Sequence, residues 1–158
     1  MNRTPWLTPK KRKLVNLLLK SHHKAFGCSL IKCQKVDDLH RLESQELFIS
    51  QMPVLAHSKS SDPLITYANS SALLLWGRQW QEMINMPSRL TAPTDARQQR
   101  YTSLQCALEQ NAVTGYKGVR IDNDGKLFII NNARIWTLWD EEGEYCGQAA
   151  SFNNWCYV

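Results

Sequence analysis

No aspartate or glutamate occurs before Asp37 in this chain of 158 residues, although nine bases do: Arg3, Lys10, Lys11, Arg12, Lys13, Lys20, Lys24, Lys32 and Lys35. From Val36 onward the remaining ten bases face all fourteen acids. The net charge of +5 therefore belongs to a basic leader, and the leader and the body suit different partners. Glycine is scarce, with seven residues placed mostly at turns and helix ends. No G-x-S-x-G elbow, no H-E-x-x-H and no phosphate-cradling glycine loop is present, which removes the commonest signatures of hydrolases, metalloproteases and nucleotide-binding enzymes. The longest apolar run of the leader is Leu17 to Leu19, far short of the roughly 20 residues a membrane span needs. No transmembrane segment and no cleavable signal is expected. Five cysteines, an odd number without a secretory signal, point to reduced thiols and a cytoplasmic setting.

What is present fits one domain, because a chain of this length buries about 70% of its unfolded surface. A helix is predicted from about Thr8 to Ala25, with Pro9 at its start and Gly27 as its stop. Leu14, Leu17, Leu18 and Ser21 lie on one side with Val15 and Leu19 beside them, opposite Lys13, Asn16, Lys20 and Lys24. A weaker helical pattern runs from Asp37 to about Phe48, opened by Asp37 and Asp38. Short strands are predicted at Met52 to His57 and Leu64 to Ala68, joined by the polar turn Ser58 to Ser61. Asn69 caps a short helix through Leu73, Leu74 and Trp76 that Gly77 ends, and Trp80, Met83 and Ile84 mark another. A longer helix begins near Thr94, capped by it, presents Tyr101, Leu104 and Leu108 as a stripe and ends near Asn111. Three strands follow, Tyr116 to Asp122, Lys126 to Trp139 and Tyr145 to Asn154, linked by Asn123-Asp124-Gly125 and Glu141-Glu142-Gly143 turns. Leu127 to Ile130 is apolar without alternation and Ile135-Trp136 repeats this, so both sheet faces need cover. The short helices supply one cover, and the leader helix, of this chain or of a second subunit, supplies the other.

This order resembles a PAS domain, with "DPLITYANSSALLLWG" similar to its opening strand and helix and "DEEGEYCGQAASFNNW" similar to its closing hairpin. More closely, "LLLKSHHKAFG", "DPLITYANSSALLLW", "MPSRLTAPTDARQQR", "YKGVRIDNDGKLF" and "YCGQAASFNNW", spanning about residues 14 to 155, resemble the MEKHLA domain. That PAS-related family is found in bacteria and at the C-terminus of plant homeodomain-leucine zipper proteins. The hexapeptide that names it is absent here, as are the homeodomain and the zipper, so DNA binding does not carry over. The resemblance implies a PAS-like fold of the α+β class, a five-stranded antiparallel sheet with short helices on one face and an N-terminal helical extension. It also implies a sensory or dimer-regulating role, and it brings no catalytic residues.

Among PAS chemistries, the flavin adduct of light-oxygen-voltage domains needs a cysteine where this chain reads Pro87-Ser88-Arg89, and Ser88 has no thiol. The same comparison puts Arg120 and Ile130 where flavin-binding asparagines sit. Haem needs an axial ligand, and none of His22, His23, His40 and His57 lies in the long helix after Thr94; they read as surface histidines. His22, His23, Cys28 and Cys33 lack the paired spacing of a structural zinc site. Cys106 lies about 200° around its helix from Leu104 and reads as an accessible, redox-sensitive thiol or a spectator. The acids of the body cluster in turns at Asp122, Asp124 and Asp140 to Glu144, where solvation explains them. A cone-type isomerase or hydrolase would instead hide an acid inside.

The expected organisation is a basic helical extension over residues 1–46 and a PAS-like domain over 47–158. Its function is non-catalytic sensing or regulation through a small molecule or a protein partner. In the cavity beneath the short helices, Trp76 and Trp136 would give apolar surface and Arg89, Arg120, Arg134 and Gln148 polar contacts to an anionic or aromatic ligand. Both tryptophans serve equally as core, and strand parity argues against Arg120, since Val119 and Ile121 look like the inward pair. The leader helix would dock on the sheet or pair two subunits, and its bases allow nonspecific contact with nucleic acid or another anionic surface. The alternative to a sensor is an interaction module with a filled core.

Overall fold

The computed structural model describes residues 2–32 and 40–158. Helix α1 spans Pro9–Phe26. Thr8 opens it, its hydroxyl accepting from the Lys11 N–H at 3.3 Å, and Gly27 closes it at φ 70° with its N–H on the His23 carbonyl. A positive φ at this place favours glycine, which has no Cβ to clash. Helix α2 spans Arg41–Ile49. The expected opening at Asp37 and Asp38 lies outside the described residues.

The sheet is antiparallel throughout and has six strands among the described residues. They are β1 (Val54–Ser58), β2 (Ile65–Ala68), β3 (Ala112–Ile121), β4 (Leu127–Trp139), β5 (Tyr145–Ser151) and β6 (Asn154–Tyr157), in the order β2-β1-β5-β4-β3 with β6 also on β4. The sixth strand arises because the expected closing strand breaks at Phe152 and Asn153. β5 pairs with the second half of β4, from Arg134 opposite Ser151, and β6 with the first half, down to Phe128 opposite Tyr157. Acids do sit in the hairpin turns. The Asp122 carboxylate accepts from the N–H groups of Asp124 and Lys126, and Asp140 from those of Glu142 and Glu144.

β4 carries one extra residue against β3. Tyr116 faces Ala133 but Gly118 faces Ile130, two residues against three, with Asn132 at φ 51°. Such a bulge reverses which face successive side chains take. Phe128 and Ile130 therefore share a face with Ala133 and Ile135, while Arg134, Trp136 and Leu138 turn to the opposite one.

Each face has its own core. Val15, Leu18, Leu47, Val54, Ala56, Trp80, Trp136, Leu138 and Ala149 form one cluster. The second joins Ile65, Ala72, Trp76, Met83, Phe128, Ile130, Ala133 and Phe152. The first lies under α1 of the same chain. There the Trp136 indole N–H donates to the Leu18 carbonyl at 3.3 Å, and the Ser21 hydroxyl accepts from the Trp139 N–H at 3.0 Å. Trp6 extends this core by stacking on Phe48 with ring centres 3.8 Å apart.

The second face is roofed by α3 (Ser70–Trp76), α4 (Trp80–Met83) and α5 (Arg97–Gln110). Asn69 caps α3 by accepting from the Ala72 N–H, and it also ties β1 and α2 together by accepting from Val54 N–H and donating to the carbonyls of Leu47 and Met52. Thr94 does not cap α5: a 3₁₀ turn, Thr94–Ala96, intervenes, and Ala96 precedes the helix without a side-chain cap. Nor is Tyr101 inward, being 54% exposed. The inward face of α5 is Arg100, Leu104 and Ala107, because a long arginine stem packs as an apolar chain while its head reaches the hollow beneath the roof. No helix among the described residues is long and apolar enough to cross a membrane.

Candidate functional site

Between the sheet and this roof lies a hollow of about 50 Å³. β1 contributes Leu55 and His57, β2 Ile65, β3 Tyr116 and Arg120, β4 Ile130 and Ile135, and β5 Gln148 and Ala150. Trp76 from α3, Thr91 from the 3₁₀ turn Ser88–Thr91, Arg100 and Leu104 from α5, and Phe152 close it. The walls are mainly apolar, and the polar groups are cationic or neutral. No Asp or Glu lines the hollow, and none is buried among the described residues.

Two arginines meet there. Arg120 is buried, its guanidinium donating to the Tyr116 hydroxyl at 3.1 Å and to the Val119 carbonyl at 2.9 Å. This geometry needs Gly118 between them: a Cβ at that position would stand 2.6 Å from the Tyr116 hydroxyl and 2.8 Å from Arg120 Nη1. Arg100 has its Nε buried with no hydrogen-bond partner. Burial first, and the like charge of Arg120 second, lower its pKa to about 9. Among the described residues no ion pair joins either arginine to an acid.

A neutral relay borders them. His57 Nε2 lies 3.2 Å from Gln148 Oε1, whose amide nitrogen donates to the Leu104 carbonyl at 3.1 Å, and His57 Nδ1 lies 2.9 Å from the Ser88 hydroxyl. An amide oxygen only accepts, so Nε2 carries the proton and Nδ1 accepts from Ser88. Burial chiefly, and the Arg100 charge next, lower the His57 pKa to about 4 against the bond that Nε2–H donates to Gln148. The chain links the Ser88 turn, β1, β5 and α5.

Of the six residues expected to meet a ligand, Trp76, Arg120 and Gln148 line the hollow. Arg120 does so against the parity argument, since Val119 and Ile121 are the half-buried pair on the other face. Arg134 and Trp136 are not there: the Asn132 bulge turns them under α1. Arg134 Nη1 faces His22 Nε2 at 3.2 Å and Cys28 Sγ at 3.5 Å, and its head stacks over Phe26. Arg89 is on the surface, its Nε 3.2 Å from Asp62 Oδ1. His22 and His57 are not surface histidines. His22 is fully buried, with Nδ1 3.0 Å from the Cys28 carbonyl oxygen. Among the polar lining residues that the sequence does not announce as ligand contacts are Arg100, His57 and Tyr116, and for Arg100 the spacing with Leu104 and Ala107 is the available signal. Cys106 is exposed. Cys33, part of the weak zinc pattern, lies outside the described residues.

These walls do not fit a flavin. A ligand of that class needs a cavity of several hundred Å³, whereas this hollow measures about 50 Å³.

Comparison with known proteins agrees with the fold. No curated protein matches the chain. Among solved structures it is similar to the photo-excited blue-light photoreceptor Vivid, at TM-score 0.61 and 16% identity over 93% of this chain and 98% of that one. It is also similar to a PAS domain from Colwellia psychrerythraea, at 0.63 and 14% over 74% and 97%. A light-oxygen-voltage domain studied with a flavin analogue aligns at 0.58 and 20% over 73% and 83%. At such identities the likeness is one of fold. The family model of the MEKHLA domain matches residues 12–157, and the chain belongs to that family.

Proposed function

We propose that this chain is a non-catalytic sensory module in which a small molecule enters the hollow and changes how α1 sits on the sheet. The observation that carries the reading is the pair of arginines in a mostly apolar hollow without an acid to neutralise them, an arrangement left incomplete without a ligand. The 47–158 portion holds the hollow and the 1–46 extension carries the output. β4 and β5 lie between the two cores, with Ile135 and Ala150 on the ligand side, Trp136 and Leu138 under α1, and Ala149 bordering both. A ligand that binds one sheet geometry better than another shifts α1 accordingly. Release of α1 would expose Leu18 and Trp136 for pairing with a second copy, which makes the homodimer a state of the signalling cycle.

Native mass spectrometry of freshly purified protein tests the reading, with hydrogen exchange of α1 before and after ligand removal. Retained extra mass and faster exchange in one of the two states support it; a ligand-free protein whose α1 protection never varies sinks it. The small hollow favours one rival, an interaction module that uses its surface instead. The exposed Trp155 and Tyr157 on β6 are the residues such a module would offer.

A further inference from the structure

We infer that the occupant of the hollow is a small monocarboxylate of about four to six non-hydrogen atoms, held by Arg100 and Arg120 with its short carbon chain on Ile130 and Ile135. This rests on the sensory reading above and names its ligand class. Charge comes first. Two guanidinium groups share the hollow without an acid, and the Arg100 Nε is buried without a partner. Desolvated cations of this kind are stabilised by an anion, and the planar arginine fork matches a carboxylate with two parallel N–H bonds. Arg120 uses two of its five donors on Tyr116 and Val119, so donors remain.

Size comes second. A water needs roughly 10–15 Å³ of such space, so a hollow of about 50 Å³ holds only a few water-sized groups. That admits acetate, propionate or pyruvate and excludes nucleotides, aromatic acids and long dicarboxylates. The mainly apolar walls favour a carbon tail over an inorganic ion, and the absence of a lining acid leaves the ammonium of an amino acid without a partner.

The test is a titration of the full chain, stripped of bound ligand by refolding, with propionate, pyruvate, propionamide, isobutanol, hexanoate and inorganic phosphate, followed by amide NMR. Ligands of so few atoms reach only micromolar to millimolar affinity, so the series runs from about 10 µM to 10 mM. Propionate or pyruvate should shift the amides of Arg100, Leu104 and Ile130 saturably, propionamide should bind at least tenfold more weakly, and hexanoate should not enter. Arg100→Gln should weaken propionate at least tenfold while leaving the rest of the spectrum in place. The acid-against-amide comparison on the unaltered chain stands even if that variant misfolds. Propionamide binding as well as propionate, or phosphate binding in place of carboxylates, overturns the inference. Entry of only an uncharged probe such as isobutanol also overturns it while leaving the sensory reading intact. Entry of nothing at all removes both.

Discussion

His57 is held neutral by burial and by the Arg100 charge, and this gives stability a definite pH dependence. Its folded pKa, about 4, lies below the ordinary histidine value of 6.5, so below pH 6.5 the unfolded chain takes up a proton that the folded one refuses. Stability is then full above about pH 6.5 and falls as pH drops toward 4, by at most about 3 kcal/mol. His22 is lowered in the same sense, chiefly by burial. Urea unfolding at pH 7.5 and 5.0 should show the loss, and His57→Asn should flatten it; an unchanged slope in that variant would assign the effect to other groups. The roles of individual residues were the least legible part of the sequence. Arg100 hid because helical stripes are read from apolar residues, and it buries a charged head on an apolar stem. His57 hid because nothing near it in sequence announces Ser88 and Gln148, which come from 31 and 91 residues away.

The helices, strands and turns were far easier to foresee, since caps and turn glycines act locally. Thr8 with Gly27, Asn69 with Gly77, and the two acid-rich hairpin turns all stand where their chemistry puts them. Asn69 also does what no local pattern shows, bonding α2, β1 and α3 at once. Asn69→Ala should cost roughly 3 kcal/mol, because it removes a cap and strands buried groups, and chemical denaturation would measure it; a cost under about 1 kcal/mol would mean that water replaces the amide. Close packing of β1 on β5 gives a second expectation. A Cβ on Gly147 would stand 2.5 Å from the His57 carbonyl oxygen, a backbone atom that cannot swing aside. Gly147→Ala should therefore destabilise by about 1–3 kcal/mol and shift the β1 amides in NMR spectra. What failed at this scale was facing. Arg134 and Trp136 are chosen for the ligand space by side-chain chemistry alone, because a strand that does not alternate offers no parity to sort its two faces, and the extra residue at Asn132 turns both under α1.

For the molecule as a whole, the split of charge, the need to cover both sheet faces and the family all showed in the sequence. Which chain supplies the second cover did not, because an amphipathic helix fits its own sheet and a partner's equally well. The structure closes α1 onto its own β4, with Leu18 and Val15 fully buried. Leu18→Ala should cost about 2–5 kcal/mol, and hydrogen exchange should show α1 opening well before the sheet. If α1 and the sheet lose protection together, the helix is an inseparable part of the core and cannot act as a detachable output.

The slack at Asn132 makes β4 a two-sided strand whose allegiance rests on a count of one. Deleting that single asparagine would exchange audiences for everything downstream as far as Trp139. Arg134 and Trp136 would look into the ligand space, while Ile135 and Thr137 would meet the helix. Length and identity are thus both constrained here: at φ 51° the kink suits asparagine, aspartate or glycine, and a chain one residue shorter would be wired backwards.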